Sequence, residues 1–566
     1  MRRVMNPPPT VKISVRRGGR TVTETVPAGT RMGELLPSAA PDGLPHVAAL
    51  FNNEVVSLRA PAAFNGTLVG LTARDGDGRR VFRRTACMLL AMAAGRALPA
   101  LRLRVRHSLS GGMFFTLREG DRGAERPVSA AEARALSREL AAIVAADLPI
   151  DEIPCGYEEA LGLFAAAGQH DKVGLLRHRN DPVVLLQACA EFRELHQGPA
   201  LPRTGLLSPA EIVRHEGGAV LRLPPAADPR GLAPFAAQPG LMRIHREHAR
   251  WGELLGVRCA AELNEAIAEG RIRDVMQMSE ALHDKTFARL AERIAGRRPR
   301  PRLVLIAGPS AAGKTTSCKR LAIHLQVLGL RPVTLSTDDY FVPEDQDPVG
   351  PDGKPDFEHI RAVDVPALRR DLKALLAGLE IRRRTFDFKA KAPSWPGDSL
   401  RLGPADVLLL EGIHALNPVL TRGIPDAEKF RIFLSAVTQL GIDDTNVLST
   451  TDNRLLRRIV RDHQFRGRSA KDTIAMWAGV RRGEERWIFP FQDAADAAFN
   501  SALDYELPVL WPFAFVLLSE IKPSDPEYAT ARRLMRLLLN FHPIPSQSVP
   551  GDSILREYIG GSLLSY

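Results

Sequence analysis

Cysteine is scarce in this 566-residue chain, and long apolar runs are missing. The five cysteines (Cys87, Cys155, Cys189, Cys259, Cys318) are scattered without a C-x-x-C pair, which argues against a disulfide framework and against a zinc site. The most apolar stretch, "LPVLWPFAFVLL" (507–518), is too short for a membrane span and carries two prolines. The opening "MRRVMNPPPT" is basic but has no apolar core of the signal-peptide kind. A cytoplasmic protein without a membrane partner is therefore expected. No internal repeat or long low-complexity tract is evident, so solenoids and repeat arrays are not indicated.

What is present is length and positive charge. A chain of 62.0 kDa is too long for one core, so several domains are expected. Lys and Arg number 76 against 65 Asp and Glu, giving +11 and a pI near 9.7. That balance favours anionic ligands such as nucleotides or RNA, and it is equally what an Arg- and Ala-rich genome produces.

Along the chain, residues 11–75 alternate short apolar stretches with turn signals and read as a small β-rich domain opening with a hairpin. "RRTACMLLAMAAG" (83–95) reads as a buried helix, and "LRLRVRHSLSGGMFFTLRE" (101–119) as strand, turn and strand. A helix over 129–145 is predicted with Ser129 as its N-cap and Glu132 three residues on. "GYEEALGLFAAAG" (156–168) predicts another helix, and the Pro/Gly-rich stretch 223–242 a loop or domain edge. A helical segment (243–295) and the basic run "GRRPRPR" (296–302) lead into the second half.

There the chemistry begins. "RLVLIAG" has the length of a strand, "GPSAAGKTT" (308–316) follows, and "TSCKRLAIHLQVLG" has helical spacing. Strand, Gly308-x4-Gly313-Lys314-Thr315, helix is a phosphate-binding loop. Backbone N–H groups of Gly308, Pro309, Ser310, Ala311, Ala312, Gly313 and Thr316 (proline excepted) would wrap the phosphates, aided by the helix dipole. Lys314 would reach the β- and γ-phosphates of ATP, and the Thr315 hydroxyl would ligate Mg²⁺. Such a loop serves GTPases, motors and kinases alike. No NKxD-type tetrapeptide follows it, which argues against a GTPase.

"VTLSTDDYF" (333–341) is a strand ending in two aspartates, placed for a base that takes a proton from a hydroxyl; the pair is also a plain turn former. "DVLLLEGIHAL" (406–416) reads as a second buried strand delivering Glu411 as an acidic Mg²⁺ partner. "NRLLRRIVRDHQFRGRS" (453–469) sets Arg454, Arg457, Arg458 and Arg461 on one helical face, with Arg466 and Arg468 in the following turn. Such a cluster suits neutralisation of a transferring phosphoryl group.

In the order "GPSAAGKTT", "LSTDDYF", "DFEHIRAVD", "FDFKAK", "VLLLEGIHAL", "RRIVRDHQFRGRS", "ERWIFPFQDAAD", residues 300–505 resemble the uridine kinase and phosphoribulokinase family. The resemblance implies Asp338 as general base and Glu411 as the Mg²⁺-associated carboxylate. It also implies Phe357, Glu358 and Phe386 on the acceptor side, with Glu358 gripping ribose hydroxyls. Arg458, Arg461, Arg466 and Arg468 would form a lid, and Asp496 would lie near the ATP base. Two positions depart from the uridine kinase pattern: Lys391 stands for a base-reading histidine, and Met476 for a glutamine. Residues 1–75 resemble a TGS β-grasp module, and residues 76–240 the editing-type domain of threonyl-tRNA synthetases. Arg84 and Met88 stand where the editing site has two histidines, which implies a retained fold with lost deacylation. The whole resembles bacterial uridine-kinase-like nucleoside kinases with TGS and synthetase-like domains.

The expected fold is multidomain α/β. A P-loop parallel sheet with helices on both faces (300–505) follows a β-grasp domain, an α+β synthetase-like domain and a helical linker (241–299), and precedes an extension (506–566). The expected activity is phosphorylation of a nucleoside or related hydroxyl, with ATP and Mg²⁺. The alternatives are an RNA- or ribosome-associated regulator switched by ATP, and a phosphoribulokinase-like sugar-phosphate kinase. RNA contact, if made, is expected through the N-terminal domains, and a homo-oligomer is expected. Since every kinase motif lies beyond Arg302, transfer is expected to survive removal of residues 1–240.

Overall fold

The computed structural model describes residues 9–565 except 18, 110, 121, 122, 351, 352, 354, 388, 389, 391 and 439. Residues 10–71 build a five-stranded mixed sheet. Thr10–Arg17 pairs antiparallel with Arg20–Pro27, as the turn signal between them predicts, and parallel with Gly66–Leu71. Ile13, Val15 and Leu68 alternate onto one face and form a separate small core.

Helix Gly76–Ala97 follows and packs against strands Leu101–Leu109 and Gly112–Glu119. Helix Ala130–Ala145 lies beside it and starts in a capping box: Ser129 accepts from the Glu132 N–H while Glu132 reaches back to Ser129. A second sheet (Asp151–Gly156, Val183–Cys189, Phe192–Leu195) and helices Tyr157–Ala166 and His170–Arg177 complete this region.

Residues 303–500 contain a five-stranded parallel sheet in the order Arg331–Ser336, Asp406–Glu411, Leu303–Ala307, Lys429–Ser435, Ala497–Asn500. The central strand "LVLIA" is apolar throughout because both sheet faces are covered. Val304 and Ile306 face helices Lys314–Val327 and Thr450–Arg466, whereas Leu303 and Leu305 face helix Val365–Leu376. No helix among the described residues is long and apolar enough to cross a membrane.

One core crosses residue 240. Phe164, Leu175 and Leu186 from the first half share a buried cluster with Phe287, Val304, Leu455 and Ile459. The front half is thus packed into the second rather than strung before it.

Candidate active site

Parallel strands bring their carboxyl ends to one edge, and at that edge the chemistry-bearing residues meet. The central strand runs into the loop 308–313, and Lys314 opens the helix. Gly308 is needed for close approach: a Cβ there would stand 2.6 Å from the Leu434 carbonyl oxygen. Gly313 turns the chain into the helix at φ +78°, a conformation that glycine takes without strain. The first-turn amides of Lys314, Thr315 and Thr316 therefore lack helical partners and face outward as anion donors. Lys314 Nζ donates to the Pro309 carbonyl at 3.3 Å, folded back over the loop.

Ser336 and Glu411 are register partners on neighbouring strands. Ser336 Oγ donates to Glu411 Oε1 at 3.0 Å, and Thr315 Oγ1 donates to the same oxygen at 3.2 Å. Burial, with Asp338 nearby, pushes the Glu411 carboxyl up to about 7. An all-oxygen donor set of hydroxyl and carboxylate suits a hard divalent cation. Among the described residues no three His, Cys, Asp or Glu side chains cluster as a metal cage. Mg²⁺, which takes few protein ligands and completes its shell with phosphates and water, fits that pattern at Thr315 and Glu411. Asp338 follows its strand in the short turn Thr337–Tyr340, its N–H held by Ser336 Oγ at 3.2 Å.

Of the residues expected on the acceptor side, Glu358 is buried and Phe357 is half-exposed. One Glu358 oxygen, Oε2, has no hydrogen-bond partner among the described residues. Its other oxygen lies 3.8 Å from Arg458 Nη1, which itself donates to Ser310 Oγ at 2.7 Å. Burial raises the Glu358 carboxyl to about 7, against the pull of Arg458. Phe386 stands in a hairpin with its ring 5.7 Å from Phe341. Lys391 lies outside the described residues. Met476 is partly buried, its sulfur 3.6 Å from an Arg468 nitrogen.

The arginine helix divides in two. Arg454 is fully buried, paired with Glu484 and bonded to the Ser310 carbonyl at 2.9 Å. Arg457 is likewise buried and paired with Glu506. These two brace the loop from behind. Arg458, Arg461 and Arg466 gather around Asp462, at 3.3, 2.8 and 3.7 Å. Arg466 is drawn down to about 10, first by Arg461 and then by burial.

One expected site residue is misplaced. Asp496 precedes the last strand, at the amino end of the sheet opposite the phosphate loop. Its carboxylate is spent on Arg297 (3.2 Å) and the Arg431 amide (2.8 Å), so it is a structural brace and not a base-side residue. The end of that strand delivers Asn500 and Ser501 instead, and Ser501 Oγ accepts from Arg457 at 3.2 Å.

The sequence reading assigned nothing to residues 506–566. Here Glu557 accepts from both the Thr316 N–H (3.3 Å) and its hydroxyl (2.7 Å). Tyr558 donates to the Ala311 carbonyl at 3.1 Å. No local pattern near 557 signals this, because the partner is fixed only by the fold.

A central strand, a phosphate loop and two strand-end acids define a P-loop domain. Residues 303–507 match the model of the Phosphoribulokinase / Uridine kinase family. A uridine kinase from Lactobacillus helveticus is 29% identical over 200 or so residues, covering 36% of this chain and 87% of the relative. One from Ligilactobacillus salivarius is also 29% identical, covering 36% and 86%. The N-terminal region is similar to threonine–tRNA ligases; that of Symbiobacterium thermophilum is 32% identical over 35% of this chain. This chain spans only 29% of that ligase's length.

Proposed function

We propose that the chain is an ATP- and Mg²⁺-dependent kinase that phosphorylates a hydroxyl of a nucleoside or similar small molecule. The observation that carries the reading is the convergence of the helix-314 amides, Asp338, Glu411 and the unpartnered Glu358 oxygen at one sheet edge. Bound Mg²⁺ would neutralise phosphate charge and orient the triphosphate. Lys314 and the loop amides hold the β- and γ-phosphates, Glu358 accepts from the acceptor's hydroxyls, and Asp338 takes the proton of the attacking one. Arg458, Arg466 and Arg468 offset the charge that spreads over the moving phosphoryl group. Lys391 and Met476 in place of pyrimidine readers favour an acceptor other than uridine.

The reading is tested with Lys314→Ala and a screen of ATP consumption over nucleosides and sugar phosphates. Loss of nucleotide binding in the variant, and acceptor-stimulated turnover in the parent with uridine not the best acceptor, are expected. Nucleotide affinity unchanged by the substitution would count directly against the phosphate-loop assignment.

The pH profile carries a second expectation. Glu358 holds its proton up to about 7, so the ionised form that accepts hydroxyl hydrogens exists above that value. For the acceptor, kcat/KM should fall by up to about tenfold per unit as pH drops below 7. Glu358→Gln should lower it at pH 8 and make that limb shallower, since Glu411 titrates in the same range. A limb of unchanged steepness in Glu358→Gln would assign it to another group.

A further inference from the structure

Away from the phosphate loop, a small cleft of about 30 Å³, partly open to solvent, lies where three parts of the chain meet. Helix Gly76–Ala97 contributes Arg80 and Arg84, and helix Tyr528–Leu538 contributes Arg532, Arg533 and Arg536. Glu54 comes from the N-terminal sheet, and the Gln197–Pro199 loop closes one wall. Arg80 with Arg84, and Arg532 with Arg536, are like-charge pairs one turn apart, a spacing that destabilises a helix unless an opposite charge intervenes.

The carboxylates at hand do not balance the five guanidiniums. Arg536 reaches Glu54 at 2.5 Å, and Arg532 stands 3.7 Å from the same oxygen. Arg80 shares Asp77 (3.3 Å) and Asp452 (3.9 Å), the latter also paired with Arg533. Arg84 donates to the Pro199 carbonyl at 2.8 Å, with no carboxylate in salt-bridge range among the described residues. Arg532 Nε meets Glu54 only at ion-pair distance, and Arg533 Nε, on the guanidinium that pairs with Asp452, has no hydrogen-bond partner among the described residues. Burial, followed by Arg533, Arg536 and Arg80, lowers the Arg84 guanidinium to about 10. Guanidiniums that share too few carboxylates leave a place for an anion to supply the missing charge.

We infer that this cleft is a binding site for a small phosphorylated molecule, separate from the kinase site, with Arg84, Arg532, Arg533 and Arg536 as its donors. Forked guanidiniums match phosphate oxygens in pairs, and convergence from two helices selects a ligand with more than one negative charge. Asp452 ties the cleft to the arginine helix, since it lies in the first turn of Thr450–Arg466. A ligand drawing on Arg80 and Arg533 competes with Asp452 and so acts on the helix that braces the phosphate loop. The part of the chain that resembles an editing domain has Arg84 in this cleft where that resemblance expects an imidazole.

The test uses the full-length chain carrying Lys314→Ala, which weakens the phosphate loop, with pyrophosphate as the probe. Calorimetry at low salt should still detect binding that weakens steeply as salt rises. Adding Arg84→Gln and Arg536→Gln should lower that affinity by at least about tenfold, through loss of charge-assisted bonds. Arg84→Gln alone should raise the melting temperature in phosphate-free buffer and reduce the rise that pyrophosphate produces. Arg532→Gln, on the open side of the cleft, gives the same loss of binding in case the buried changes disturb folding. Pyrophosphate binding equal in the Lys314→Ala protein with and without the arginine changes overturns the site, as does no binding at all. A short single-stranded RNA binding there more tightly than pyrophosphate overturns the small-molecule assignment.

Discussion

Asp338→Asn should bind ATP as the parent does and transfer its phosphate about 10²–10⁴-fold more slowly, the usual loss when a general base is removed. The substitution keeps the size and the backbone link to Ser336 Oγ, so the turn Thr337–Tyr340 should hold its shape. Asp339, next to it, is half-buried and is the adjacent alternative base: burial and then the Asp338 charge raise its carboxyl to about 6, with Arg383 and Arg384 pulling it down. Single-turnover rates on the best acceptor, with nucleotide affinity measured separately, decide the matter. Full turnover in Asp338→Asn would place the base elsewhere.

The second large effect concerns the first half of the chain. Position along the sequence suggests that residues 1–240 are dispensable for transfer, and the packing reverses that expectation. Residues 443–446, between strand Lys429–Ser435 and helix Thr450–Arg466, are embedded in the synthetase-like region. Lys172 is buried, with Nζ 3.2 Å from both Glu194 and Thr445. Asp444 takes Arg118 at 2.5 Å, and its carbonyl accepts from the Val105 amide at 2.8 Å. Asp443 is buried and holds the Thr445 and Asn446 amides. Deleting residues 1–240 removes Lys172 and Arg118 from this network and exposes the apolar wall that Phe164 and Leu186 cover.

Removing one partner of a buried pair costs about 3–5 kcal/mol. Lys172→Ala in the full chain should therefore lower the melting temperature by several degrees. A chain of residues 241–566 should fail to fold to a soluble, cooperatively melting protein, as read by solubility and thermal unfolding. A well-folded fragment with full turnover would show that the network is ornamental to the kinase half. Since the embedded loop leads straight into the arginine helix, the same contacts hold the start of that helix in place.

What could be read from sequence was local. Glycine spacing and a lysine mark the loop at 308–314, and an alternating run with a Gly-Gly turn marks the strands at 101–119, because each rests on neighbours a few residues apart. Serine followed three residues later by glutamate is enough to locate the start of the helix at 130. The arginines of 453–469 were legible as a face but not as two groups. Arg454 and Arg457 are buried through Glu484 and Glu506, 30 and 49 residues further on, and spacing carries no trace of those partners. Asp496 failed for a related reason: the motif around it is recognisable, but which end of the strand it occupies depends on where pairing with residues 432–435 begins.

Glu557 reaches Thr316 across 241 residues, and that contact changes how the phosphate loop meets its ligand. A loop built to attract anions is costly to leave bare, and here the chain carries its own counter-ion to it. A tethered carboxylate competes as though present at millimolar concentration or above. If the loop takes a nucleotide as proposed, its binding would be an exchange of anions, in which a triphosphate with several charges displaces the single charge of Glu557.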